Sequence, residues 1–321
     1  MRILYAAHEN SWGGFFGLIR SELPQYEFVA TGRFEVESLK GFDVLIPTMC
    51  RVTREILETS DRLRLIQQCG SGLEGVNIEA AQHRNIWVAN VPTDMSGNAD
   101  SVAELGIYLL IGLSRDVHGM AQSLRNQKMG EPQGQALSGK TVGIVGLGGI
   151  GRALIRRLKP FDVRLIALKR SNPEKAKREC DLEWVGGPED LPELLSRSDY
   201  VILGLPVSTD TKHLMNRETF SYMKRGSFLI NLARGGLIDH AALQEALAAG
   251  RIAGAGLDVF WEEPPDPEDP IFSYNVLATP HIGGSTEVSM RGIVKAVAEN
   301  IQRVEMNLKP FHLKNPLDLK Q

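Results

Sequence analysis

Cysteine is scarce in this chain: three thiols, Cys50, Cys69 and Cys180, stand among 321 residues. Three scattered cysteines build neither a disulfide framework nor a zinc site, so no metal centre is expected, and they point to a reduced, cytoplasmic compartment. Long apolar runs are missing as well. The stretch LGIYLLIGLSR, residues 105–115, meets charge too soon to cross a bilayer. The opening MRILYAAHEN holds too short an apolar run for a signal peptide. Neither sign of charge dominates: 36 basic against 39 acidic side chains leave a formal net charge of −3. That balance excludes a general attraction to nucleic acid or to an anionic membrane. Repeats at solenoid periods and low-complexity tracts are absent too. A hydrophobic content of 43% with 23% charged residues then describes a folded soluble protein, and the length suits two domains.

What the chain does contain is alternation. Short β-branched runs take turns with helical patterns, the mark of a parallel α/β architecture. The first third offers strands at RILYAA, DVLIP, LRLIQQ and IWVANV, with helical stretches VTREILETS and NIEAAQHR between them. A second series follows: TVGIVG, RLIALK, YVILGL, SFLINLA, GLDV and VLATP. Six such strands with intervening helices match one complete doubly wound dinucleotide-binding sheet of Rossmann type. Ser101 and Glu104 match an S-x-x-E capping box before LGIYLLIGL. Asp239 can cap AALQEALAAG, and Gly250 can close it. The last helix, TEVSMRGIVKAVAENIQRVEMN, follows the final strand without a strand partner, so it is expected to cross back to the first domain. The proline- and acid-rich WEEPPDPEDP is either a solvated connection or a loop placed at a site.

TVGIVGLGGIGRALIRRL contains Gly146-x-Gly148-x-x-Gly151 directly after a strand and directly opening a helix. In that setting the glycines read as a pyrophosphate-binding turn. Gly146 permits the tight turn, Gly148 lets the backbone approach the phosphates, and Gly151 lets helix and strand pack closely. Gly149, Ile150 and Gly151 begin the helix, whose unpaired N–H groups face the anion. The second strand of such a unit usually ends on an acid that holds the adenosine ribose. Eighteen residues past Gly151 stands Lys169 instead, followed by Arg170 and Ser171. Two cations and a hydroxyl suit a 2′-phosphate dianion, so NADP(H) is the expected cofactor, with NAD(H) possible if the run is only a solvated turn.

Three further strand ends carry chemistry. INLARGGLID places Arg234, GAGLDVFWEEP places Asp258 and Glu263, and ATPHIGGST places His281. Ligands bind at strand C-termini in an open parallel sheet. An arginine can clamp a substrate carboxylate through paired hydrogen bonds. A histidinium can protonate a carbonyl oxygen as hydride arrives, and an adjacent carboxylate orients the ring and favours its charged form. Each residue alone has a plain structural explanation; their shared setting behind a dinucleotide turn joins them into one candidate site.

These stretches, with RVTREIL, GSGLEGVNIEAA, NADSVAELGIYLLIGLSRD, SDYVILGLPVSTDTKHLMN and MKRGSFLINLARGGLIDHAAL, resemble the D-isomer-specific 2-hydroxyacid dehydrogenases. That family includes glyoxylate/hydroxypyruvate reductases and D-3-phosphoglycerate dehydrogenases, and the resemblance covers roughly residues 44 to 290. It implies a catalytic Arg234, Glu263 and His281, with Asp258 near the nicotinamide carboxamide. It implies that the loop Cys69-Gly70-Ser71-Gly72 offers backbone N–H groups to the substrate carboxylate, alongside Arg234 and His281. It implies a discontinuous, flavodoxin-like substrate domain, residues 1–98 and 286–321, around a cofactor domain of residues 99–285. It implies a homodimer acting on a small 2-oxo or 2-hydroxy acid, the more so in the reducing direction with NADPH.

Departures from the family pattern bear on these implications. Lys169 replaces the usual ribose acid. Glu263 stands where the family's formate dehydrogenases carry glutamine, which speaks against formate oxidation. Pro47 falls near a substrate-phosphate arginine of the phosphoglycerate enzymes, with Arg51 close by, and no C-terminal regulatory domain is expected. HENSWGGFFG reads as either a substrate-side loop or a turn before a helix. Two other readings stay open: an NAD-dependent phosphoglycerate dehydrogenase-like enzyme, and a dinucleotide-sensing corepressor-type binding protein.

Overall fold

The computed structural model describes residues 1–315. The chain forms two compact units: Met1–Asn98 together with the segment from Gly284 onward, and Ala99–Gly283. Residues 316–321 of the expected return segment lie outside the described residues.

The first unit opens with strand β1 (Arg2–Tyr5), helix α1 (Phe15–Glu22), β2 (Glu27–Ala30) and β3 (Val44–Ile46). It continues through α2 (Arg54–Glu58), β4 (Leu65–Gln67), α3 (Ile78–His83) and β5 (Trp87–Ala89). The strands form a five-stranded parallel sheet of order β2-β1-β3-β4-β5, the flavodoxin-like order. HENSWGGFFG runs through a short turn at Trp12–Gly14 into α1. β2 escaped the sequence reading. Its EFVA is exposed or half-buried at the sheet edge, so it lacks the continuous apolar run that marks a doubly covered strand.

The second unit holds α4 (Asn98–Ser114), α5 (Val117–Arg125), β6 (Thr141–Val145), α6 (Gly149–Leu158), β7 (Arg164–Leu168), α7 (Pro173–Cys180) and β8 (Trp184–Gly186). There follow α8 (Leu191–Arg197), β9 (Tyr200–Leu203), α9 (Arg217–Tyr222), β10 (Ser227–Asn231), α10 (His240–Ala248), β11 (Ile252–Leu257) and β12 (Val276–Ala278). The sheet has seven strands, not six, in the order β12-β11-β10-β9-β6-β7-β8. The additional strand, β8, is three residues at the edge beyond β7, too short to show a period. Apolar side chains cover both faces, with Ile144, Leu154 and Ile202 in one cluster and Val145, Leu203 and Leu257 in the other.

Asp239 caps α10 by accepting from the Ala242 amide, and Gly250 follows in the left-handed region at φ +58°. The capping box expected at Ser101 and Glu104 does not form. α4 starts at Asn98, so Ser101 lies buried inside the first turn, and Glu104 pairs instead with Arg157 (2.9 Å). Burial of Ala99, Val102 and Ala103 draws the helix start upstream of the sequence pattern.

The last helix, α11 (Glu287–Glu305), belongs to the first unit. Its Ile293, Val297 and Ile301 pack with Ile3, Tyr5 and Ile46, covering one face of the first sheet. In the same unit the buried Asp43 carboxylate accepts from the Arg2 amide (2.7 Å) and from Arg62 Nε and Nη2 (2.8 and 2.6 Å). Burial works to raise the Asp43 carboxyl, but the Arg62 side chain and the Arg2 amide hold it below the usual carboxylate value. A depressed folded-state value stabilises above the unfolded one and is lost as pH falls through it. Asp43→Asn should therefore cost about 2 kcal/mol of stability in urea melts at neutral pH. The difference from wild type should shrink below about pH 4. Equal melts at neutral pH would remove Asp43 as a fastening point.

Candidate active site

In a parallel sheet all strands finish at the same edge, and the second unit gathers its functional groups there. β6 and β7 are paired through Val145 and Leu168, and the Gly146 amide donates to Leu168 (3.1 Å). Gly146 turns sharply at φ +107°, and a Cβ there would meet the Gly204 carbonyl at 2.8 Å. A Cβ on Gly151 would lie 2.2 Å from the Gly146 carbonyl, so strand and helix approach in a way only glycine permits. Gly148 is different: it is exposed, and nothing lies within 4 Å of a Cβ there. It precedes α6 without a side-chain cap, which leaves the first amides of the helix, those of Gly149, Ile150 and Gly151, without a capping side chain. This cradle fits a dinucleotide pyrophosphate.

Lys169 follows β7 directly, its amide bonded to the Gly186 carbonyl (2.9 Å). Its ammonium reaches back to the Leu147 carbonyl within the phosphate turn (3.2 Å), while Arg170 and Ser171 are exposed. The run thus stands beside the turn, where a ribose-binding group belongs.

The second group lies at the ends of β10, β11 and β12, on the far side of β9. Lateral hydrogen bonds from the Asp258 amide to Asn231 (3.1 Å) and from Thr279 to Leu257 (2.9 Å) align the ends of β10, β11 and β12. The His281 Nδ1 lies 2.6 Å from Glu263 Oε2, in a pair whose side chains are 26% and 15% exposed. Glu263 Oε1 accepts from the Phe260 amide (3.0 Å). Burial pushes the Glu263 carboxyl up, yet the His281 bond and charge, the Phe260 amide and the charge of Arg234 bring it below the ordinary value. It is therefore held as carboxylate, a suitable partner for a histidinium. Arg234 is half-buried on an extended backbone and donates through Nη1 to the Ala233 carbonyl (2.7 Å).

Asp258 sits beneath these residues, 2% exposed. Its Oδ1 accepts from Thr279 Oγ1 (2.7 Å) and the Ile282 amide (2.9 Å), and its Oδ2 from the Gly283 amide (2.9 Å). Burial pushes its carboxyl up, against the pull of those donors and of His281. The effect is a clamp on the loop that carries His281, whose φ of +54° is uncommon for a non-glycine residue. Sequence reading missed two supports. Thr279 is one. The other is Asn231, fully buried, which donates to the Arg234 carbonyl (2.8 Å) and accepts from the Ala233 amide (3.1 Å). A polar residue ending an apolar strand was the available signal.

The loop Cys69-Gly70-Ser71-Gly72 belongs to the first unit and follows β4 at the C-terminal edge of that sheet. The Gly70 carbonyl accepts from Val91 (3.2 Å) and the Ser71 carbonyl from Asn90 Nδ2 (2.7 Å). Nothing lies within 4 Å of a Cβ on Gly70.

A nucleotide cradle at the same sheet edge as a paired imidazole and carboxylate is the equipment of an NAD(P)-dependent oxidoreductase. Comparison with known proteins narrows the class. Residues 107–283 match the model for the NAD binding domain of D-isomer specific 2-hydroxyacid dehydrogenases, and the chain belongs to that family. It is 36% identical to the glyoxylate reductase of Pyrococcus horikoshii over 83% of this chain and 80% of that protein. It is 36% identical to the D-3-phosphoglycerate dehydrogenase of Methanocaldococcus jannaschii over 86% of this chain, which spans 53% of that longer protein. In structure it resembles an NADPH-dependent glyoxylate/hydroxypyruvate reductase from Sinorhizobium meliloti, solved with NADP and malonate. There the TM-score is 0.84 at 28% identity, covering 98% of this chain and 96% of that one.

The glycines make separable predictions. Gly148→Ala has room and an allowed backbone, so its thermal midpoint should match wild type while dinucleotide affinity falls, read by titration calorimetry. Gly151→Ala should lose both. Undiminished affinity in Gly148→Ala would show that the open side of the turn does not receive the pyrophosphate.

Proposed function

We propose that the chain reduces a small 2-oxo acid of the glyoxylate or hydroxypyruvate type to its D-2-hydroxy acid, with NADPH preferred over NADH. The His281–Glu263 pair at 2.6 Å, with Arg234 on the adjoining strand end, carries this reading. The reduced nicotinamide, when bound, supplies the hydride. Arg234 holds the substrate carboxylate and so directs the carbonyl carbon. His281, with Nδ1 engaged by Glu263, gives the proton on Nε2 to the carbonyl oxygen, and carbonyl plus hydride plus proton yields the alcohol. Asp258 keeps the His281 loop in place and is also assigned to the nicotinamide carboxamide. Gly70, Ser71 and Gly72 are assigned to the substrate carboxylate. Gly146 to Gly151 take the pyrophosphate, and Lys169, Arg170 and Ser171 take the 2′-phosphate.

The Methanocaldococcus relative favours a second reading, an NAD-dependent phosphoglycerate dehydrogenase-like enzyme. The cations at Lys169 and Arg170 speak against it. The proposal extends to a cytoplasmic homodimer: all three cysteines are free thiols, and Tyr108, Met120, Leu124 and Met129 are exposed along α4, α5 and the residues after them.

Initial rates with hydroxypyruvate and glyoxylate, NADPH against NADH, test the whole reading. A kcat/KM ratio of ten or more for NADPH, about 1.4 kcal/mol, is expected, and Lys169→Asp should move it towards NADH. A preference for NADH would reduce the basic run to a solvated turn. Absence of turnover on a panel of 2-oxo acids would instead favour a dinucleotide sensor. His281→Ala should lower kcat by about 10³ while cofactor affinity stays near wild type. Unchanged turnover would remove His281 from the chemistry.

A further inference from the structure

The loop that carries Glu263, residues 259–269, is tied at both ends to the segment that follows Arg234. At the near end Gly235 touches the loop backbone so closely that a Cβ there would lie 2.0 Å from the Phe260 carbonyl. Next to it, Trp261 Nε1 donates to the Ile238 carbonyl (2.7 Å). At the far end His240, the first residue of α10, lies with Nε2 2.9 Å and 3.1 Å from the two carboxylate oxygens of Asp269. A carboxylate can only accept, so Nε2 carries the proton. The Asp269 carboxylate also accepts from the Ile271 amide (3.0 Å), which fixes the exit of the loop into the turn Pro270–Ser273. The His240 ring meets the Trp261 ring edge to face at 4.5 Å, so one histidine braces both ends.

We propose that His240, Trp261 and Asp269 form a clamp of positioning residues that locks the Glu263 loop against the Arg234 segment and so sets Glu263 beside His281. The inference rests on the catalytic roles assigned above to Glu263 and His281. The loop needs such a fastening. Its sequence WEEPPDPEDP is acidic and proline-rich and buries little apolar surface beyond its first residues, so packing alone does not define its course. Arg234 is fixed independently through Asn231, so loosening the clamp moves the acid rather than the substrate anchor. The expected signature is a fall in kcat with little change in KM.

The test uses the full chain with hydroxypyruvate and NADPH, alongside amide hydrogen exchange of residues 259–269. His240→Ala and Asp269→Asn should speed exchange across this loop and lower kcat by about ten-fold, since small displacements of reacting groups are costly. His240→Gln, which keeps a donor near Nε2, should restore most of both. In a cycle with Glu263→Gln, the His240→Ala effect on kcat should largely vanish, because the clamp acts through Glu263. Unchanged loop exchange in His240→Ala, or kcat effects that add in full with Glu263→Gln, would overturn the clamp. Faster exchange in His240→Ala with normal turnover in Glu263→Gln would leave the clamp standing and refute the role of Glu263.

Discussion

A parallel sheet has one functional edge, and this molecule depends on that constraint. Each crossover returns the chain to the same starting edge, so every strand delivers its last residue to the opposite one. The phosphate turn after β6, Lys169 after β7, Arg234 after β10, Asp258 after β11 and His281 after β12 share an edge for this reason alone. Residues separated by more than a hundred positions thus come to one edge of the same sheet.

Reaching the edge is not the same as being held there. The loops beyond the strands bury their first apolar residues, among them Leu147, Leu232, Ala233, Val259 and Phe260, and hydrogen bonds to backbone hold the polar groups that follow. Asp258 holds the His281 loop through three donors, Asn231 braces the turn at Arg234, and the Phe260 amide holds Glu263. Burying the Asp258 carboxylate is costly, and burial indeed pushes it towards the neutral form. The gain is a His281 backbone kept at φ +54°. The same economy governs the glycines: Gly151 and Gly235 stand where a single methyl group would collide with a carbonyl.

Much of this was legible in the residues. The alternation of short apolar strands with helices announced the parallel sheets, and the spacing of Gly146, Gly148 and Gly151 announced the nucleotide turn. Arg234, Glu263 and His281 could be named because each follows a recognisable strand. The failures share a cause. β2 and β8 are edge strands with few covered residues, so hydrophobic periodicity is weak there. Ser101 matched a capping pattern, but core burial of Ala99 and Val102 set the helix start at Asn98. Thr279, His240 and Asp269 carry no motif, since their roles arise from contacts between segments.

The sequence by itself determined the strand and helix alternation, the nucleotide turn and the chemical types at the strand ends. These are local properties: periodicity, the conformational freedom of glycine, and the reactivity of single side chains. Only the tertiary structure decided that Glu263 meets His281, that Asp258 works as a clamp beneath the histidine, and that Lys169 folds over the phosphate turn. Those pairings depend on how loops are carried across a twisted sheet, and distances between strand ends are written in no single stretch of chain.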